Sequence, residues 1–165
     1  MISRVSLIAL IQSKCQNELK YVKTKMDEDE SYIEIFRRPY DSAIIGINKN
    51  GYWCVVHNDI MYSLENTKDA DVFLLVLYTP LQEILALIKK GLLDINLPVD
   101  ITLTFPFDKI LEFALNSKWH QKAISWIDEG YPIDDNMREI IYGTDKQTPQ
   151  WLEYEGSRKG HLLNL

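Results

Sequence analysis

Several residue classes are scarce in this chain, and each scarcity excludes something. Seven glycines and six prolines in 165 residues are too few for a fibrous or linker-rich protein. Two cysteines, Cys15 and Cys54, stand far apart in apolar surroundings. A metal box would need closer spacing, and His57, His120 and His161 do not supply it. The cysteines read as small buried hydrophobes in a reducing cytosol. Long apolar runs are also missing. The N-terminus partly resembles a signal peptide, but its run is only Leu7 to Ile11, and no small-residue cleavage site precedes Lys14. Nothing approaches the roughly 18 apolar residues of a membrane span. Positive charge is the last shortage: 18 Lys+Arg against 24 Asp+Glu give a net charge of −6. A general nucleic-acid binder draws its affinity from phosphate neutralisation, so that class is disfavoured. These features lead us to expect a cytoplasmic protein with no membrane, nucleic-acid, metal or cofactor partner.

Catalytic signatures are absent too. There is no Gly-rich phosphate loop, and no Ser or Cys in a nucleophile motif accompanies His57 or His120. The acid pairs Asp128/Glu129 and Asp134/Asp135 fit solvated helix caps better than acid/base chemistry. We expect a protein that is not an enzyme.

What is present is ample material for a core. At 46% hydrophobic and 25% charged, residues 1–165 suit a single domain. Residues 2–26 carry a helical stripe at Ile8, Ile11, Cys15, Leu19, Val22 and Met26, opposite a face of Lys14, Lys20, Lys23 and Lys25. That helix should end at Asp27-Glu28-Asp29-Glu30, where four like charges meet a negative helix terminus. From Ser31 the period becomes two. Tyr32–Arg37, Ser42–Ile47, Tyr52–His57 and Ile60–Leu64 predict a small antiparallel meander over about 31–64. Asn50-Gly51 and Asn58-Asp59 supply its turns.

The helical period then returns through Ala70, Phe73, Leu77, Leu81, Ile84, Leu85 and Ile88. Val72–Tyr78 fits a helix or a buried strand. Thr79-Pro80-Leu81-Gln82 predicts a capped start, and Lys89-Lys90-Gly91 a stop. Pro98 and Pro106 bracket a connector. Phe107–Asn116, Trp119–Glu129 and Asp134–Tyr142 predict three more helices, with stops at Gly130 and Gly143. The expected fold is thus α+β: a helix plus meander over 1–65, antiparallel helical hairpins over 66–143, and a loosely ordered tail over 144–165 pinned by Trp151, Leu152, Leu162 and Leu163.

The stretch from Leu111 through Trp119, Trp126 and Gly130 to Asp134 resembles an ankyrin repeat, and Leu87–Asn96 resembles the end of a preceding one, over about 70–134 in all. Lys118 stands where that family has glycine, and Lys122 and Ser125 where it has apolar residues. The resemblance implies an adaptor or scaffold that binds a peptide or protein on stacked hairpins.

Charge and aromatics collect in two places. From Asp27 to Asp71 there are ten acids to four bases, and from Asp128 to Asp145 six acids to one base. Tyr32, Tyr40, Tyr52 and Trp53 lie near the first; Trp126, Tyr131 and Tyr142 lie near the second. Acids for steering with aromatic anchors suit a binder of a basic protein. As a class, the chain resembles bacterial immunity proteins of contact-dependent and other polymorphic toxin systems, which are small, acidic, mixed β-plus-helical and without active-site residues. That resemblance implies an inhibitor of a cognate, basic, nuclease-type toxin domain. The expected contact residues are Asp27, Glu28, Asp29, Glu30, Asp128, Glu129, Asp134 and Asp135, with Trp53 and Tyr131 as anchors.

Overall fold

The structure, a computed structural model, describes residues 1–63 and 69–142. Leu64, the Glu65–Thr67 link, Gly143 and the 144–165 tail with its expected pins lie outside the described residues. The fold is mixed α+β, with an N-terminal helix, a strand-rich middle and C-terminal helices.

The single helix expected over 2–26 is two elements. Helix α1 spans Arg4–Lys14, and Ser3 caps it by accepting from the Ser6 amide at 3.1 Å. After Cys15 the chain becomes strand β1, Leu19–Thr24. Leu19, Tyr21 and Val22 fit either period, and pairing along Asp29–Ile33 decides in favour of the strand. The acid run therefore ends no helix. It is the tip of a β1–β2 hairpin, with Asp27 in the left-handed region at φ 59°.

Four strands follow: β2 Asp29–Arg37, β3 Ile44–Asn48, β4 Trp53–His57 and β5 Ile60–Ser63. The meander is real, and β1 adds a fifth strand that closes it into a barrel in the order β1-β2-β3-β4-β5. Neighbours are antiparallel except at the seam, where β1 and β5 run parallel through Lys23 opposite Ile60 and Thr24 opposite Met61. Asn58 and Asp59, both at positive φ, make the tight turn between β4 and β5. Between β3 and β4 only Gly51 is left-handed, so that loop is longer than the two-residue turn its Asn-Gly suggests.

The two faces of the sheet divide the core. Ile33, Ile35, Ile45, Ile47, Trp53 and Val55 join the main core, while Tyr32, Cys54, Val56 and Met61 form a smaller cluster with Val22 and Ile44. Both cysteines are free and buried, and burial drives the Cys54 thiol far above its ordinary pKa.

Residues 70–78 are helical: α2, Ala70–Leu74, continues as a 3-10 turn over Leu75–Tyr78. Helix α3, Leu81–Asp94, does not stop at Gly91 but passes through it. The glycine serves close approach instead. Strand β2 bulges between Glu34 and Phe36, and a methyl group at 91 would fall inside 3.0 Å of the Ile35 carbonyl. The connector between the prolines holds a 3-10 segment, Val99–Thr104. Helices α4 Phe107–Leu115, α5 His120–Asp128 and α6 Asp135–Tyr142 follow. Leu7 and Ile11 of α1, Leu85 and Ile88 of α3, Leu111 of α4, Trp126 of α5 and Met137 of α6 share one core with the sheet. The helices fold back over the barrel. Among the described residues, no single helix is long and apolar enough to cross a membrane.

Candidate partner-binding surface

The first acid segment is built to project. At the β1–β2 tip the Thr24 amide donates to the Glu28 carbonyl at 2.9 Å, and the Asp27 amide to the Thr24 carbonyl at 3.0 Å. The Thr24 hydroxyl accepts from the Met26 and Glu28 amides, both at 3.3 Å. With the turn's backbone so satisfied, the carboxylates of Asp27, Glu28 and Asp29 stand exposed. Lys23 pairs with Asp29 at 2.8 Å and reaches Asp27 at 3.8 Å. That hydrogen bond holds the Asp29 carboxyl below its ordinary pKa. Glu30 is half-buried and pairs with Lys49 at 3.3 Å. Two apolar side chains share the hairpin with these acids: Tyr21 is 81% exposed and Met26 80%.

The second acid segment is mostly spent on helix ends. Pro80 starts α3 with no side-chain cap, contrary to the Thr79 hydroxyl expected there. Instead the Gln82 amide donates to a Glu129 carboxylate oxygen at 3.3 Å, so an acid from α5's end serves α3's start. The Met137 amide donates to Asp134 at 2.8 Å, which makes Asp134 the cap of α6. Asp135 is exposed and pairs with Arg138 at 3.0 Å, and Asp128 is exposed at the end of α5. The two segments belong to different elements: β1 packs on β2 and β5, whereas α5 and α6 pack on α4.

The expected anchors must be corrected. Trp53 is 4% exposed and Tyr131 1%, so neither is available to a partner. They are the ends of a buried aromatic chain that ties the barrel to the helices. Trp53 meets Phe105 edge-on at 5.0 Å, Phe105 meets Phe107 at 4.7 Å, and Phe107 meets Tyr131 at 5.7 Å and Trp126 at 6.0 Å. Their polar tips are all satisfied: the Trp53 indole donates to the Thr104 hydroxyl, the Trp126 indole to the Thr79 carbonyl, and the Tyr131 hydroxyl to Asp108.

Other aromatics do reach the surface. Tyr40, in the loop between β2 and β3, stacks on Tyr78 with centroids 4.3 Å apart, and Trp119 meets Tyr78 edge-on at 5.2 Å. Lys122 lies over the Tyr78 ring at 4.8 Å. Of this trio, the sequence places only Tyr40 near the first acid segment. Nothing local in the sequence brings positions 40, 78 and 119 together.

The same loop carries a buried charge. Arg38, its side chain wholly buried, donates to both carboxylate oxygens of Asp41 at 2.8 and 2.6 Å and to the Val72 carbonyl at 2.5 Å. This bidentate pair locks the 38–43 loop onto α2. It also holds the Asp41 carboxyl below its ordinary pKa, chiefly through the Arg38 hydrogen bond against the opposing effect of burial. His57 Nδ1 lies 4.0 Å from Asp41. That is too long for a hydrogen bond, so Asp41 does not fix the imidazole tautomer as a triad carboxylate does. Between the loop, the end of β4 and α2 lies an open pocket of about 220 Å³, which His57 and Asp71 also line. Among the described residues, no group of three or more His, Cys, Asp or Glu side chains is arranged to hold a metal ion.

No family model matches the chain, and neither a curated protein nor a solved structure does.

Proposed function

We propose that this chain is an immunity-type inhibitor. In the cytoplasm it would bind a basic, nuclease-type bacterial toxin domain and occlude its active or substrate-binding surface. The observation that carries the proposal is the β1–β2 tip, where Asp27, Glu28 and Asp29 are exposed on the same hairpin as Tyr21 and Met26. Exposed acids steer a basic partner into encounter, and exposed apolar side chains gain from burial once it arrives. The net charge of −6 supports the same sign of partner. The shared core of barrel and helices counts against the ankyrin-like adaptor, which needs hairpins stacked in one direction around a groove.

The test is co-expression with a toxin domain encoded immediately upstream. Restored growth and a stable complex, with association that slows as salt rises, are expected. A toxin left active, or association indifferent to salt and to the acids at 27–30, would overturn the proposal.

A further inference from the structure

We infer that the pocket beside Asp41 receives one arginine side chain of the partner protein. This inference rests on the partner's being a basic protein, as proposed above.

Arg38 and Asp41 cancel each other in their bidentate pair. Lys25, whose ammonium lies 4.7 Å from the Tyr62 ring centre, is matched by Asp69 at 2.6 Å. Asp71 is the acid left over on the lining: it is exposed in the first turn of α2 and makes no ion pair among the described residues. The remaining wall is mostly apolar, formed by Val72, Leu75 and the Tyr62 ring, with the half-exposed His57 imidazole at one side. An apolar wall with one carboxylate unmatched among the described residues suits a side chain with an aliphatic stem and a cationic head.

Size narrows the choice. At about 220 Å³ the pocket is smaller than the roughly 300–1,000 Å³ of pockets for cofactors and drug-sized molecules, and it is open to solvent. A protruding side chain is the matching object. Arginine fits better than lysine because its planar, weakly hydrated guanidinium can fork onto a carboxylate and lie flat against an apolar wall. The surroundings suit an interface: Tyr40 is next to Asp41 in the chain, and Tyr78 follows Leu75 by one turn, so the two segments that wall the pocket also present the stacked exposed rings. Exposed Tyr40 and Tyr78 beside a pocket that takes a basic anchor match the aromatic and arginine composition of an interface hot spot.

The experiment uses the full chain alone, titrated with Nα-acetyl-arginine N-methylamide and followed by amide and imidazole NMR shifts. Saturable shifts at His57, Val72 and Leu75 are expected. The neutral citrulline analogue should bind about tenfold more weakly, and Asp71→Asn should lose a similar factor while leaving the rest of the spectrum intact. Equal shifts from the citrulline probe, shifts centred elsewhere, an unchanged titration in Asp71→Asn, or no shift at all would overturn the inference. The function proposed above fails separately. If Asp71→Asn neutralises the toxin as well as the parent chain while charge reversal at 27–30 abolishes neutralisation, the pocket inference falls and the inhibitor proposal stands. If the arginine probe binds as expected but no toxin is neutralised, the pocket stands and the partner class is wrong.

Discussion

At the β1–β2 tip, Asp27, Glu28 and Asp29 project from a turn whose backbone is already satisfied, while at 128–135 Glu129 and Asp134 accept amides at the starts of α3 and α6. The two segments look alike as strings of letters. They differ because a tight turn closes its own hydrogen bonds, whereas each helix begins with amides that have no partner within the helix. An acid beside a helix start is drawn into structural work, and an acid on a hairpin tip is left to meet something outside. A local excess of negative charge therefore does not by itself locate a binding surface.

Substitutions at acids should grade along that contrast, and Asp41 marks the top of the scale. Asp41→Ala strands the buried Arg38 guanidinium and should cost about 3–5 kcal/mol in urea unfolding. The pH dependence has a defined sign. The Asp41 pKa is depressed in the folded state, so its contribution is complete above the unfolded carboxylate value of about 3.9 and is lost as pH falls through the lower folded value. The stability gap between the parent chain and Asp41→Asn should accordingly be widest near neutral pH and narrow in acid. A gap constant down to pH 2 would mean that the pair does not depend on the Asp41 charge.

Next comes Asp134→Ala, which removes the α6 cap and should cost about 1 kcal/mol. Glu129→Ala should cost less, about 0.5 kcal/mol, because its contact with α3 is longer, at 3.3 Å. Smallest in stability is Asp27→Asn with Glu28→Lys, expected within about 0.5 kcal/mol of the parent because Asn tolerates the left-handed turn position at 27 and Glu28 is exposed. That same variant should slow association with a basic toxin domain about tenfold at low salt and flatten its salt dependence, measured by surface plasmon kinetics. The contrast breaks if the tip variant unfolds as readily as Asp134→Ala, or if Asp134→Ala slows association as much as the tip variant does.

Strands β2 to β5 and helices α3 to α6 were legible because alternation, Asn-rich turns and three-to-four spacing act over neighbouring residues. Strand β1 was not. Leu19-Lys20-Tyr21-Val22-Lys23-Thr24 satisfies both periods, and only its partner β2 decides between them. Gly91 misled for a related reason: a glycine that ends a helix and one that admits another backbone are the same letter, and the Ile35 bulge lies far away in the chain. Trp53 and Tyr131 were plausible anchors by type, yet the aromatic chain through Phe105 and Phe107 buries them both. The pocket could be read only in part. Arg38 and Asp41 are three residues apart, but His57 and Asp71 reach them only through the closure of the barrel and the docking of α2.

That closure has a kinetic consequence. Each hairpin reverses direction, so after four reversals β5 runs the same way as β1, and an antiparallel meander of five strands can seal only with a parallel seam. Here the seam is two residue pairs long, Lys23 with Ile60 and Thr24 with Met61. It joins the first strand to the last and therefore forms only after the longest loop in the barrel has closed. The same two pairs are what keep the facing edges of β1 and β5 occupied. When they part, both edges present unpaired amides and carbonyls, and a strand from another molecule can take the vacant place. The barrel is thus most open to strand exchange at its shortest joint.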